Sequence, residues 1–193
     1  MKQYIQTELS KTLRTLQLVA NDAEIAATLQ EVATACCSAL RRGNKILFAG
    51  NGGSAADAQH LAGELVSRFN FERPGLPAIA LTTDTSVLTA IGNDSGYELV
   101  FARQVNALGT RGDVLIAIST SGRSPNILKA LEEARQKGLI TVGLTGQTGG
   151  DMPVLCDHLI RIPSNETPKI QEGHIMLGHI LCGLIECTMF PGN

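Results

Sequence analysis

The chain has no excess of charge of either sign. Its 193 residues include 16 Lys and Arg against 18 Asp and Glu, which gives a formal net charge of −2. Proteins that bind nucleic acid or anionic membranes attract the phosphate groups with a surplus of positive charge. We therefore expect neither nucleic acid nor a membrane surface as the main partner.

Paired cysteines and long apolar runs are also missing. The five cysteines are odd in number and include no Cys-x-x-Cys pair, which indicates reduced thiols in a cytosolic protein. No window approaches the roughly 18 apolar residues of a membrane span, and the N-terminal residues are too polar for a secretion signal. The sequence therefore predicts a cytoplasmic protein that is not exported.

The first part of the chain has the apolar spacing of helices. At 193 residues the chain can bury one large core, so we expect a single domain over residues 1–193. Two segments with apolar residues three and four positions apart precede Gly43 and predict a helical pair within residues 1–42. Because this pair has no predicted strand to cover, we expect it to pack on another subunit.

Five short apolar runs follow, separated by helix-length segments. The runs are KILFA (45–49), AIAL (78–81), VLIAI (114–118), ITVGLT (140–145) and HLIRI (158–162). The clearest helical patterns cover residues 54–69, 97–108, 125–137 and 169–189. Strands without polar alternation, separated by helices, are typical of a parallel sheet covered on both faces. The sequence thus predicts a doubly wound five-stranded parallel α/β fold, with a ligand site beyond the carboxyl ends of its strands.

The segment STSGRSPN, directly after the third predicted strand, is rich in hydroxyl groups. Ser124, followed by proline, is typical of the start of a helix. A helix cap uses one hydroxyl and leaves Ser119, Thr120 and Ser121 unexplained. Hydroxyl groups beside the free N–H groups of a helix start, with Gly122 permitting a tight turn, form a site suited to a phosphate ester. We therefore favour phosphate binding over a simple cap.

The segment GNGGSAADAQH, after the first predicted strand, allows two interpretations. Gly50, Gly52 and Ala55 match the dinucleotide-binding pattern G-x-G-x-x-G/A. That pattern expects an acidic residue at the end of the next strand, whereas AIALTT ends in threonines. A sugar phosphate needs less space than a dinucleotide, and its hydroxyls could bind Asn51 and the amides of Gly52 and Gly53. An NAD-binding protein remains the weaker alternative.

Two predicted helices carry side chains capable of proton transfer or metal binding. His60 and Glu64 are four residues apart and share a helix face, although a solvated pair is equally compatible with this spacing. On the last helix, Gln171 and His179 lie about 80° apart around the axis, whereas His174 lies on another side and is predicted to be structural. His60, Glu64, Gln171 and His179 offer ligands that zinc accepts, but the sequence does not show whether the two helices meet.

Four segments occur in order over nearly the whole chain: GNGGSAADAQHLAGEL, AIGND, ISTSGRS and KIQEGHIMLGH. In this combination the chain resembles the phosphoheptose isomerase family of sugar isomerase (SIS) domain proteins. The resemblance implies the SIS fold and a homotetramer with active sites at subunit interfaces. It also implies conversion of sedoheptulose 7-phosphate to D-glycero-D-manno-heptose 7-phosphate, for lipopolysaccharide or other surface glycans.

The resemblance further implies roles for individual residues. Glu64 and His179 would move a proton between C1 and C2 of the sugar through an enediolate. The phosphate would be held by Ser119, Thr120, Ser121 and Ser124, with Arg68 as a charged partner. The sugar would be contacted by Asn51, Gly52, Gly53, Glu64, Asn93, Asp94 and Gln171. Without the resemblance, Asn93 and Asp94 would indicate only a turn.

A metal ion is implied as well. Some family members bind zinc, and one ion per subunit would be held by His60, Glu64, Gln171 and His179. Whether Glu64 is a ligand, a base or both stays open. In some relatives an aspartate precedes the basic residue of KIQE; Pro168 stands there in this chain, which puts the help of that aspartate in sugar ring opening in doubt.

A different class of function is also compatible with this fold. Some SIS proteins are non-catalytic adaptors, including one that binds a replication initiator. Such proteins keep the phosphate loop and lose the ionisable pair. Because this chain has both Glu64 and His179, we favour an enzyme.

Overall fold

Helices and strands alternate along residues 1–192, which the computed structural model describes. The helices are α1 (Lys2–Ala20), α2 (Ala23–Arg41), α3 (Gly53–Val66), α4 (Thr85–Asp94), α5 (Ala102–Leu108), α6 (Pro125–Gln136) and α7 (Thr167–Met189). The strands are β1 (Ile46–Gly50), β2 (Ala78–Ala80), β3 (Val114–Ile118), β4 (Ile140–Gly146) and β5 (His158–Ile162). Over this range, no helix combines the length and apolar character needed to cross a bilayer.

The five strands form one parallel sheet in the order β2-β1-β3-β4-β5. Strands β1 and β3 are buried along their whole length, which explains why their sequences do not alternate with polar residues. The prediction of a doubly wound five-stranded α/β fold is confirmed. Because the strand order reverses between β1 and β3, the loops after these two strands flank the crevice where such sheets bind ligands.

Helices cover both faces of the sheet. Alternate residues of the strands point to a core shared with α2, α3 and α7 on one face, and to a core shared with α5 and α6 on the other. In β1, Phe48 belongs to the first core and Leu47 to the second. The two loops that flank the crevice therefore lead into helices on opposite faces, α3 and α6.

The two N-terminal helices differ in how they pack. Helix α2 lies against α7 and the sheet and buries Val32 and Cys36 in the first core, so the expectation that the pair has no strand to cover is wrong for α2. Helix α1 buries only Thr15 and Val19 and contacts α7. Its exposed apolar side chains are Tyr4, Ile5, Leu9, Leu13 and Leu18.

The region between β2 and β3 differs from the prediction. Helix α4 was not among the clearest helical patterns because none of its residues is buried, and Asp84 caps it by accepting a hydrogen bond from Val87 N–H. Asn93 and Asp94 close this helix instead of forming a separate turn. The helix predicted over 97–108 is divided into a 3-10 turn at Tyr97–Leu99 and helix α5.

Candidate active site

An imidazole pair connects α3 with α7. The Nε2 atoms of His60 and His179 lie 2.8 Å apart, and the two rings meet edge to face. An oxygen of the Glu64 carboxylate lies 3.3 Å from Nε2 of His60. The two helices therefore meet, and they bring together three side chains that are up to 119 residues apart in sequence.

A glycine permits this close approach of the helices. A Cβ atom on Gly178 would lie only 2.7 Å from a methyl carbon of Leu61, which is buried in α3. Cys182, one turn later on α7, is also buried and lies beside the same turn of α3. A larger residue at position 178 would push the helices apart and separate the imidazoles.

Gln171 lies nearer the start of the same helix pair. Its amide nitrogen would be 2.6 Å from a Cβ on Gly53, so the side chain covers the backbone at the start of α3. Eight residues at a rise of 1.5 Å place it about 12 Å from His179 along the axis of α7. Within residues 1–192 it makes no hydrogen bond to His60 or His179.

Asp57, one turn before His60 on α3, is a nearby carboxylate that the sequence analysis did not single out. Its Oδ2 atom is buried and has no hydrogen-bond partner in the part of the chain that the structure describes. Burial raises the pKa of this carboxyl, and the nearby His60 and His179 oppose that effect. Buried polar atoms without partners are uncommon and tend to have a reason. The spacing Asp57-x-x-His60 on a helix was the signal that could have found it.

The spacings at the imidazole pair can be compared with those of the predicted zinc ion, and they match it only in part. A tetrahedral zinc with bonds of about 2.0–2.1 Å separates its ligand atoms by about 3.3 Å. The distance between Glu64 and His60 matches this value, whereas the two Nε2 atoms would have to move apart by about 0.5 Å. Two imidazole nitrogens that face each other need a proton or a cation between them. Across residues 1–192, however, no group of three His, Cys, Asp or Glu side chains is arranged so that it could hold a metal ion.

The loop after β3 presents its hydroxyl groups at the start of α6. The Oγ atoms of Ser119 and Ser124 lie 3.1 Å apart, and Arg123 N–H donates to the Oγ of Ser121 at 3.1 Å. Ser124 occupies the N-cap position of α6, but its side chain makes no capping hydrogen bond. The simple cap is therefore not what the structure shows. Hydroxyl groups at the positive end of a helix form a site for an anion.

The loop after β4 packs against this loop of residues 119–124, which we call the phosphate loop after its predicted role. Gly122 has a φ of +64°, and a Cβ on it would lie 2.1 Å from the carbonyl oxygen of Gly149. The carbonyl of Gly122 accepts a hydrogen bond from the N–H of Asp151 at 2.9 Å. Backbone therefore touches backbone, which explains why glycines stand at positions 149 and 150 after β4.

The loop after β1 is tied to the phosphate loop by two amides. Asn51 and Asn126 exchange two side-chain hydrogen bonds, of 2.9 and 2.8 Å, and the hydroxyl of Tyr97 lies 3.4 Å from the same oxygen of Asn51. Asn126 is buried at the start of α6 and was not predicted. The side chain of Asn51 is thus already paired, while Gly52 and Gly53 are exposed beside it.

Several named proteins are similar to this chain over nearly its whole length. The SIS domain family model matches residues 11–146. A phosphoheptose isomerase from Burkholderia pseudomallei is 60% identical, covering 97% of this chain and 95% of its own length. This chain belongs to the phosphoheptose isomerase family. A second relative of that name, from Aneurinibacillus thermoaerophilus, is 57% identical over 98% of this chain and 96% of its own length.

A solved structure of the phosphoheptose isomerase family agrees with the fold. The phosphoheptose isomerase from Neisseria gonorrhoeae is 40% identical and superposes with a TM-score of 0.89, covering 95% of this chain and 97% of that one. The predicted resemblance is therefore confirmed by sequence and by structure.

Three residues to which the phosphoheptose isomerase resemblance gave a role make no hydrogen bond or ion pair with the hydroxyl-rich loop or the imidazole pair in the part of the chain that the structure describes. Arg68 follows the end of α3, where its guanidinium lies 3.7 Å from the carboxylate of Glu72 in the solvent. The length of α3 places Arg68 about 20 Å from Gly53, in the loop that the Asn51–Asn126 hydrogen bonds join to the start of α6. Asn93 donates a hydrogen bond to Asp94 at the exposed end of α4. Within one chain, Arg68 therefore does not reach the predicted phosphate site.

Proposed function

We propose that this chain is an aldose–ketose isomerase that converts sedoheptulose 7-phosphate to D-glycero-D-manno-heptose 7-phosphate. Family membership at up to 60% identity supports the reaction class. The structural observation that carries the proposal is the meeting of Glu64 and His179 around His60, from two helices distant in sequence. The product would supply heptose for lipopolysaccharide or other surface glycans.

The chemistry requires two groups that exchange protons with the substrate. One removes the proton from the carbon next to the carbonyl, and the other transfers a proton between the C1 and C2 oxygens, through an enediolate. The carboxylate of Glu64 and the imidazole of His179 suit these two tasks, because both kinds of side chain can accept a proton and return it. Each positioned acid or base contributes roughly 10²- to 10⁴-fold to the rate. His60 contacts both and holds them in a common orientation.

The phosphate would bind the hydroxyl-rich loop of residues 119–124, and the site would need a second subunit. From Gly53 at the loop edge, the rise of α3 places His60 about 10 Å and Glu64 about 16 Å away. Helix α6, which begins at the phosphate loop, lies on the other face of the sheet. This separation favours a homotetramer in which the loop of one subunit faces the acid–base pair of another. The exposed apolar side chains of α1 favour assembly as well.

The proposal includes one zinc ion per subunit. It would be held by His60, Glu64 and His179 at the imidazole pair, with Gln171 as fourth ligand once its side chain turns from Gly53 along α7 toward them. When bound, zinc would polarise the substrate carbonyl and stabilise negative charge on the sugar oxygens. The protein side chains would still have to orient the sugar and move its protons. A cytoplasmic location is part of the proposal and is supported by the five free cysteines.

Turnover of sedoheptulose 7-phosphate by single variants tests the catalytic roles. We expect Glu64→Gln and His179→Gln each to lower kcat by at least about 100-fold, because neither amide can accept and return a proton. His158→Gln is a matched control, since His158 lies on β5 and pairs with Glu31, away from the site. Full activity in both site variants would refute the assignment.

The same assay separates the enzyme from the alternatives. A non-catalytic adaptor would show no turnover in the unaltered chain. An NAD-binding protein is disfavoured because Asp84, the first acidic residue after β2, caps α4 instead of being placed to hold a ribose. Titration with NADH should therefore show no binding.

A further inference from the structure

The segment of residues 67–73, which follows α3, folds back onto α7. The ring of Phe69 stacks on the imidazole of His179, with ring centroids 5.8 Å apart and planes inclined by 29°. The ring also lies beside Gly183, one turn beyond His179, where a Cβ would be in van der Waals contact with it at 3.4 Å. His179 is thus held between Phe69 on its face and His60 at its edge.

A buried ion pair holds Phe69 in this position. The guanidinium of Arg73 and the carboxylate of Glu186, on α7, are both fully buried, with Nε and Oε1 3.0 Å apart. The same carboxylate accepts hydrogen bonds from the backbone N–H groups of Phe69 and Asn70, at 2.8 and 2.7 Å. The backbone of Phe69 is therefore anchored to the helix that carries His179.

Arg73 also fixes the end of α3, which carries Glu64. Its guanidinium donates to the carbonyl oxygens of Glu64, Leu65 and Ser67 at 2.8, 2.6 and 3.1 Å. These bonds end the helix at Val66, three residues before the predicted end. One ion pair thus restrains the backbone of Glu64 and the ring that covers His179.

We propose that Phe69 is a positioning residue for His179, held in place by the Arg73–Glu186 ion pair. This inference rests on the proposed role of His179 in proton transfer. An imidazole that is covered on one face can turn less about its Cβ–Cγ bond, so its Nε2 stays directed at His60, which in turn contacts the carboxylate of Glu64. Since misplacing a reacting group by about 1 Å can cost on the order of 100-fold in rate, the covering ring acts on kcat.

Substitutions of Phe69 distinguish a positioning role from a contribution to packing alone. We expect Phe69→Leu, which keeps an apolar side chain but removes the ring, to lower kcat by about 10- to 100-fold while KM stays within about twofold. Phe69→Tyr keeps the ring and should keep the activity. Phe71→Leu is the matched control, because Phe71 is a half-buried residue of the same segment that makes no ring contact with His179.

A spectroscopic measurement reports on the stacking without relying on activity. With only four histidines, ¹³C-labelled imidazole resonances can be assigned by loss of the His179 signal in His179→Gln. The ring current of Phe69 should displace the His179 resonance, so the signal moves in Phe69→Leu and stays in Phe69→Tyr and Phe71→Leu. This comparison needs only folded protein.

The outcomes separate this inference from the proposed function. A kcat for Phe69→Leu within twofold of the unaltered protein, or a His179 resonance that does not move, would overturn the positioning role while leaving the reaction intact. Full activity in His179→Gln would refute the proposed function and this inference with it. If Phe69→Leu fails to fold, the unaltered protein still tests the inference. A His179 resonance at the chemical shift of an imidazole without a stacked aromatic ring would overturn it.

Discussion

Two histidines of α7 show how the environment sets the role of a residue. His179 is half-buried and faces other polar groups, whereas His174 is 1% exposed. Nε2 of His174 lies 3.1 Å from the carbonyl oxygen of Thr145, and its Nδ1 has no partner within residues 1–192. Burial lowers the pKa of His174 from 6.5 to about 4, because the charged form would lose its hydration. His174 is therefore kept neutral in the folded protein.

This burial predicts a pH dependence of stability. The unfolded chain takes up a proton at His174 below pH 6.5, and the folded chain does so only near pH 4, so stability is lost as the pH falls between these values. Between pH 7.5 and pH 5, the free energy of unfolding should fall by about 2 kcal/mol more in the unaltered protein than in His174→Leu. Urea unfolding at both pH values measures the difference. Parallel curves for the two proteins would show that His174 does not contribute.

Among the helices and strands, the features that could be predicted from the sequence are those that depend on residues close together in the chain. The strands were recognisable because buried parallel strands are apolar without interruption. Helix α4 was not, since it is short and none of its side chains is fully buried, although Leu88 and Ile91 pack on the second core. The meeting of α3 and α7 depends on Leu61 fitting over Gly178, a contact between distant residues that periodicity cannot reveal. The same holds for the paired amides of Asn51 and Asn126.

The ion pair between the 67–73 segment and α7 should dominate the stability of this part of the fold. Glu186→Gln would leave the charge of Arg73 buried without its counterion, and we expect the free energy of unfolding at pH 7.5 to fall by about 3–5 kcal/mol. Glu132→Gln, which breaks the exposed pair with Lys129, should change it by less than about 1 kcal/mol. Urea unfolding of both variants makes the comparison. Equal effects would contradict the importance of the buried pair.

The Arg73–Glu186 ion pair should stabilise the fold less in acid. Burial alone would raise the pKa of Glu186, but the N–H groups of Phe69 and Asn70 and the Arg73 guanidinium outweigh it and lower the pKa below its ordinary value of 4.5. The stabilisation is therefore present above pH 4.5 and lost as the pH falls through the lowered value. The difference between Glu186→Gln and the unaltered protein should accordingly shrink in acid.

At the scale of the whole molecule, the two halves of the proposed site lie apart in one chain. The phosphate loop lies at the carboxyl ends of the strands. The imidazole pair lies two turns after the start of α3, on one face of the sheet. A subunit arrangement that joins the loop of one copy to the acid–base pair of another would resolve this separation. It would also give Arg68, which is solvent-exposed here, a phosphate to contact in a neighbouring copy.

Mixed oligomers test this arrangement. One inactive subunit would carry His179→Gln, and the other would carry Ser119→Ala, Ser121→Ala and Ser124→Ala together. If each site takes its loop and its acid–base pair from different copies, co-assembly at equal amounts should restore about one quarter of the unaltered activity, since that fraction of random pairings is intact. Mixing the two proteins without subunit exchange is the control. No recovery after co-assembly would mean that each chain builds its own site.

The contact between Gly122 and Gly149 limits how the ligand specificity of this fold can be changed. Since two main chains touch there with no side chain between them, neither loop can accept an insertion or a bulkier residue without displacing the other. Enzyme engineers who want to accommodate longer or shorter phosphorylated ligands would have to leave that junction untouched.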